Sequence, residues 1–177
     1  MNLIFRLIRV IVVALFRRRL KVLDDSVLRF IVWPNDLDVN FHMNNGRYLT
    51  VMDLGRIDLT VRNGLFGVMI RRRWSPVVGT VTIRFRKSLL PFRSYRLITQ
   101  VVCWDDKWIY MEQRFERKGE VIAIAYVKCL FRSGKRTLRS RELLAAIGQE
   151  QRSPHMPSAL EALKLAEGLT GEKPGRA

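Results

Sequence analysis

Four strand-like runs follow one another between residues 78 and 132, with only turns and short loops between them. Run 78–87 alternates strictly. Val81, Ile83 and Phe85 fall on one face, and Thr80, Thr82, Arg84 and Arg86 on the other, the period-two signature of a half-buried strand. Runs 94–104, 108–118 and 121–132 come next, divided by Asp105-Asp106 and by Gly119, residues that favour turns. Such a succession reads as an antiparallel meander, and few other folds accept it.

What precedes the meander narrows the choice further. Residues 27–33 are rich in β-branched and aromatic side chains and read as a strand. Asn44 or Asn45 can cap a helix that runs to about Asn63, with Gly64 suited to its C-terminal end. Leu49, Met52, Leu54, Ile57 and Val61 give that helix a broad apolar face. Arg71, Arg72, Arg73 and Pro76 mark a loop. A long helix that follows the first strand must bury its apolar face on the sheet the other strands form. The expected fold is α+β: a curved antiparallel sheet of about five strands wrapped around one long helix. An extra N-terminal amphipathic helix and short C-terminal helices complete it. We expect three parts: a basic amphipathic segment over 1–20, the sheet-and-helix domain over 21–139, and a helical extension with a frayed tail over 140–177. Ser140 is the expected cap of a short helix over 142–148, and a weak helix is expected near 159–167.

Composition bears on partners. The 177 residues carry 32 Lys plus Arg against 16 Asp plus Glu, a formal net charge of +16. That balance favours polyanions: nucleic acid, anionic lipid head groups or a phosphate-bearing cofactor. No zinc-finger spacing, helix-turn-helix pattern or RNA-binding aromatic signature is present, so no nucleic-acid partner is expected. Cys103 and Cys129 fall in strand-like runs without metal-type spacing and read as buried free thiols. Neither a metal nor a bound cofactor is expected.

Residues 3–16 are strongly apolar yet include Arg6 and Arg9, and Arg17, Arg18 and Arg19 follow. The stretch falls short of the ~20 apolar residues that span a bilayer. Its arginine triplet sits where a signal peptide would place a cleavage site. As a helix it puts Arg6, Arg9 and Val13 on one side, the pattern of a helix lying in a membrane interface with its guanidinium groups among lipid phosphates. A core helix or a dimer contact are the alternatives. The expectation is a cytoplasmic protein touching an anionic membrane through residues 1–19.

The chemistry concentrates in Asn35-Asp36-Leu37-Asp38-Val39-Asn40-Phe41-His42-Met43-Asn44-Asn45-Gly46-Arg47-Tyr48, where a strand gives way to a helix. An acid, an amide and an imidazole crowd a helix N-terminus, whose free N–H groups and dipole favour developing negative charge. This stretch resembles the Asp-x-Asn-x-His-x-Asn-Asn signature of plant acyl-carrier-protein thioesterases. The segment Tyr48-Leu49-x-x-Met52-Asp53-x-Gly55-Arg56 is similar to the helix of the 4-hydroxybenzoyl-CoA thioesterase group. With Trp104-Asp105-Asp106 at the later hairpin, the whole looks most like the branch of hotdog-fold thioesterases that contains thioesterase superfamily member six and its bacterial relatives.

The resemblance implies a thioesterase that hydrolyses acyl-CoA or acyl carrier protein substrates and assembles as a homodimer or tetramer. It places the general base or nucleophile at Asp38. Asn40 would hold water or the carbonyl, and His42 would orient Asp38, shuttle a proton or donate to the oxyanion. Asn44 and Asn45 would cap the helix, so that N–H groups near Asn45 and Gly46 polarise the thioester carbonyl. Asp53 and Arg56 are supporting residues, with an i,i+3 ion pair as their simplest role. Arg84, Arg86 and Lys87 are weaker candidates for the phosphates of coenzyme A, and Trp104 and Trp108 could stack on its adenine or cover a dimer edge. A non-catalytic acyl-thioester or lipid-binding protein on the same scaffold is the alternative.

Overall fold

The computed structural model describes residues 3–171; the first two residues of the expected N-terminal segment and the last six of the expected tail lie outside it. Helix α1 (Leu3–Phe16) leads to strand β1 (Ser26–Ile31), a 3-10 turn (Pro34–Asp36) and the long helix α2 (Asn45–Arg62). Helix α3 (Leu65–Arg72) and strands β2 (Trp74–Phe85), β3 (Ser94–Trp104), β4 (Ile109–Arg117), β5 (Glu120–Ser133) and β6 (Arg136–Thr137) follow. Helices α4 (Ser140–Ala146) and α5 (Ser158–Gly171) close the chain. The sheet runs β1-β3-β4-β5-β2, antiparallel throughout, with β6 added to β5. The fold class expected from the sequence is the one observed.

Helix α2 packs on the sheet at very close range. A Cβ added at Gly55 would come within 2.8 Å of Leu97 and 3.0 Å of Gln113, so glycine is what lets this turn of helix touch β3 and β4. That contact fixes the rotation of the helix. Tyr48, Val51, Met52 and Leu59 are buried with Gly55, whereas Leu49, assigned to the apolar face above, is 43% exposed. Tyr48 packs edge-on to Phe85 and Phe115 at centroid distances of 5.0 and 4.8 Å.

The stretch from Arg71 to Pro76 is not the expected loop: Arg71 and Arg72 close helix α3, and Pro76 lies within β2. Asn63 ends α2, and its side chain accepts the Leu65 N–H at 3.0 Å, so the chain restarts as α3 after Gly64 at φ 88°. Strand β2 then begins at Trp74, four residues early, and includes Pro76 opposite Phe131. β2 is an edge strand, where a missing N–H leaves no ladder bond unmade. In the C-terminal extension, Arg139 rather than Ser140 is the N-cap of α4, and Glu142 accepts the Arg139 N–H at 3.0 Å. Cys103 and Cys129 are buried and unpaired, and burial pushes the Cys129 thiol up to about 12.

Helix α1 lies against α2. Arg6, Val10 and Ala14, spaced i, i+4, i+8, form its inward line, and Ile4, Phe5, Ile8, Val12, Leu15 and Phe16 are exposed. The arginine side expected in lipid is thus split: Arg6 is 3% exposed and faces protein, while Arg9 is exposed. No helix among the described residues is long and apolar enough to cross a membrane.

Candidate active site

The loop between β1 and α2 is fastened at both ends by main-chain bonds. At its start, Val32 N–H donates to the Arg93 carbonyl (3.0 Å) and Phe92 N–H to the Val32 carbonyl (2.8 Å). At its end, Met43 N–H donates to Leu89 (2.9 Å) and Asn44 N–H to Asp36 (2.8 Å). Beneath it lies Asp36, 1% exposed, whose Oδ2 accepts the Trp33 N–H at 3.0 Å and the Arg6 guanidinium at 2.5 Å. Arg47 Nε stands 3.8 Å from the other oxygen. Burying a carboxylate this deep is costly unless a counter-charge and hydrogen bonds compensate it. Helix α1 supplies the counter-charge, and this explains why Arg6 turns inward.

Asp38 is only partly buried, on a turn closed by its own N–H to the His42 carbonyl (2.8 Å) and by Phe41 N–H to the Asp38 carbonyl (3.1 Å), with Phe41 at φ 57°. Oδ1 accepts the N–H groups of Asn40 (2.9 Å) and His42 (3.3 Å). Oδ2 has no hydrogen-bond partner among the described residues and is the oxygen available to a water or substrate. Asn40 and His42 therefore meet Asp38 through their main chains, and the His42 ring makes no hydrogen bond to it. Asn44 is the N-cap of α2, its Oδ1 accepting the Gly46 N–H at 2.8 Å, and Arg47 N–H returns to the Asn44 carbonyl at 2.8 Å. The cap thus engages the Gly46 N–H, one of the two groups expected to polarise a carbonyl. The Asn45 N–H is the first-turn donor left without an acceptor among the described residues.

A cavity of about 540 Å³ lies between α2, α3 and the sheet. Its wall is apolar, from Leu54, Met69, Val101 and Met111 among others. Leu3 and Leu7 of α1 and Leu143, Leu144 and Ile147 at α4 complete it. Thr50, Asp53, Arg56, Thr60 and Asn63 are its polar residues, all from α2 and its end. Asp53 and Arg56 form the expected i,i+3 pair. Arg56 also donates to Gln113 Oε1 at 2.8 Å, and the fully buried Gln113 donates in turn to the Met52 carbonyl and Thr99 Oγ1, each at 2.9 Å. This chain locks the Arg56 head at the cavity wall. Asp38, Asn40 and His42 do not line the cavity. Thr50, one turn beyond Gly46 and bonded to its carbonyl at 2.7 Å, is the residue that joins the helix N-terminus to it.

Arg84, Arg86 and Lys87 are exposed and line no part of the cavity, and Lys87 pairs with Glu120 at 2.8 Å. They precede Leu89, whose carbonyl holds Met43, so their strand end abuts the Asp38 loop. Leu89 also makes a backbone hydrogen bond to Tyr48, whose hydroxyl burial nonetheless pushes up to about 12. Trp108 is half-buried, packs over Gly79 and has Lys128 at 4.5 Å from its ring. Sequence reasoning missed Arg6 and Arg47. The signal for Arg6 was present: an arginine on the Arg6–Val10–Ala14 line of an apolar helix must find an acid when that line is buried.

Known proteins resemble the chain at two levels. Protein THEM6 of Drosophila melanogaster is 30% identical over 152 residues, covering 85% of this chain and 76% of its own. A Saccharomyces cerevisiae protein named "Probable thioesterase YBR096W" is 30% identical over 120 residues, covering 65% of this chain and 51% of its own. The chain spans about half the length of other curated relatives it matches. In fold it resembles the crystal structure of the YbaW "Probable Thioesterase" of Escherichia coli, with a TM-score of 0.64 and 24% identity over 70% of this chain and 97% of that one. The thioesterase-like superfamily matches residues 32–163, and the chain belongs to that family.

Proposed function

We propose that the protein hydrolyses acyl thioesters, acyl-CoA or the acyl carrier protein form, with Asp38 as the catalytic base. The observation that carries this reading is the apolar cavity that begins one turn from the N-terminus of α2. About 540 Å³ has room for on the order of a dozen or more methylene groups, each about the volume of a water molecule. An aliphatic acyl chain fills such a space without leaving polar groups unpaired. The carbonyl then lies toward Thr50, where the Asn45 N–H and the positive end of the helix dipole favour the oxyanion.

In this mechanism Asp38 Oδ2 takes a proton from water, and the water oxygen attacks the thioester carbon. The carbon–sulfur bond breaks, and the departing thiolate recovers the proton from the Asp38 carboxyl. Arg86 and Arg84 at the loop's flank are the groups offered to coenzyme A phosphates. The free outer edge of β2, twelve residues long, is the surface through which two copies pair as a homodimer, since an open edge of that length invites another strand. The exposed apolar face of α1 is the side that meets a membrane, a different face from the one its arginines suggested.

The test is thiol release from a panel of acyl-CoAs by the full chain, Asp38→Asn and His42→Ala. We expect long-chain turnover to fall by about 10²- to 10⁴-fold in Asp38→Asn while the protein stays folded. Unchanged turnover in that variant removes Asp38 from the mechanism. One observation favours a binding-only reading: Asp38 and His42 stand outside the cavity wall. Tight acyl-CoA binding with no turnover on coenzyme A or carrier-protein substrates would establish it.

A further inference from the structure

Helix α1 and the edge strand β1 enclose another groove, about 440 Å³, that shares no lining residue with the apolar cavity. Arg6, Arg9, Arg17 and Arg29 line it, with Val10, Val13, Leu28 and Phe30 as its apolar surface, and no acidic residue contributes to the lining. Two of the four arginines are committed elsewhere. Arg6 is paired with Asp36, and Arg17 donates to the Val27 carbonyl at 3.1 Å and stands 3.6 Å from Asp58. Arg9 and Arg29 are exposed, with no ion-pair or hydrogen-bond partner among the described residues.

The position of Arg29 is costly as it stands. In the β1–β3 register it lies directly opposite Arg96, and like charges in facing positions destabilise a strand pair. Glu116 answers Arg96 at 2.8 Å and leaves Arg29 uncompensated. The groove is therefore a cationic, partly apolar recess. Beside it runs the exposed stripe of α1 with Phe5, Ile8, Val12 and Phe16. On a helical wheel Arg9 stands at the border of stripe and groove.

We infer that this groove binds the phosphate group of an anionic glycerophospholipid at a bilayer surface, with Arg9 and Arg29 as the phosphate ligands and the apolar stripe of α1 seated among the acyl chains. Charge complementarity selects the phosphate, and the adjoining stripe selects a lipid over a soluble phosphate ester, which would leave that stripe in water. The inference rests on the membrane contact proposed for α1, and it adds a defined headgroup site to what would otherwise be diffuse attraction of a +16 protein. It does not depend on thioester hydrolysis.

The experiment is co-sedimentation of the full chain with phosphatidylcholine vesicles and with vesicles that also contain phosphatidylglycerol. Arg9→Gln/Arg29→Gln is compared with Lys135→Gln/Arg152→Gln, which removes the same charge from exposed sites on other elements. We expect the first pair to lose on the order of tenfold in partitioning to the anionic vesicles and the second to lose little. Folding of each variant is checked by its thermal transition. Equal losses in the two pairs overturn the site and leave only diffuse attraction. Equal binding of the parent protein to both vesicle types overturns it too, while keeping the membrane contact. No binding to either overturns both. Displacement from vesicles by millimolar glycerol 3-phosphate or inorganic phosphate assigns the groove to a soluble phosphate and overturns the lipid. A mass that doubles in solution only while Phe5 and Phe16 are intact gives the stripe to a second copy and overturns it as well.

Discussion

Asp36 and Asp38 are two residues apart on one loop, yet they live in different worlds. Asp36 is 1% exposed, bonded to the Trp33 N–H and to Arg6, with Arg47 nearby. Asp38 has one oxygen folded back on its own turn and the other unengaged. The first carboxylate holds α1, the loop and the cap of α2 together. The second is carried on that assembly with capacity to spare. The difference teaches that charge density in a loop does not locate reactivity; a group poised for chemistry is one whose neighbours leave an atom unsatisfied.

The sharpest way to break this contrast is to neutralise each acid in turn. Asp36→Asn strands the Arg6 guanidinium in the interior and should cost about 3–5 kcal/mol in urea unfolding. Asp38→Asn keeps an oxygen to accept the same two N–H bonds and should cost under about 1 kcal/mol. Equal losses would abolish the distinction. Next in size is coupling. Arg6→Met with Asp36→Asn should cost less than the sum of the single changes by roughly 1–3 kcal/mol, measured as a double-mutant cycle.

A smaller effect separates the scaffold side of the loop from its chemistry. Leu7→Trp puts bulk into the apolar cavity from α1 without touching Asp38. It should lower turnover of long-chain relative to short-chain acyl-CoA by about tenfold, the scale of a few lost methylene contacts. A uniform fall across chain lengths would mean the change reached the loop instead.

The smallest effect comes from a third loop acid, Asp105 at the β3–β4 hairpin. Burial would raise its carboxyl, but hydrogen bonds from the Trp108 and Lys107 N–H groups and the Tyr110 hydroxyl, with Lys164 nearby, hold it below the ordinary 3.8. A depressed folded value means the unfolded chain binds the proton more readily, so the stabilisation is present above that pH and lost as pH falls through it. Asp105→Asn should cost a few tenths of a kcal/mol at pH 7, since the site is largely solvent-screened, and the gap to the parent should close as pH falls through the lowered folded-state value.

Much of the fold was legible in the sequence because it rests on local rules. Strict alternation located run 78–87, and Asn44 announced the start of α2 through the chemistry of a cap. What escaped depended on distant partners. Which of Asp36 and Asp38 is buried was decided by Arg6, thirty residues upstream. That Leu49 leaves the buried face of α2, while Met52, Leu54 and Val61 keep to it, was decided by the contact of Gly55 with β3 and β4. Pro76 looked like a strand breaker because nothing local says that its strand lies at an edge. In the candidate site, the chain order of acid, amide and imidazole was visible, but the loss of the Gly46 N–H to the cap was not, since a residue that caps a helix consumes the donor it exposes.

The wall of the apolar cavity proposed to take the acyl chain is built partly from outside the segment that defines the family. Leu3 and Leu7 precede residue 32, where the superfamily match begins. Substrate preference can therefore drift by substitutions in an appendage, while the loop and sheet that would do the chemistry stay under separate constraint. A lineage could acquire a new acyl length without passing through an inactive enzyme, and two relatives with the same central domain need not share a substrate.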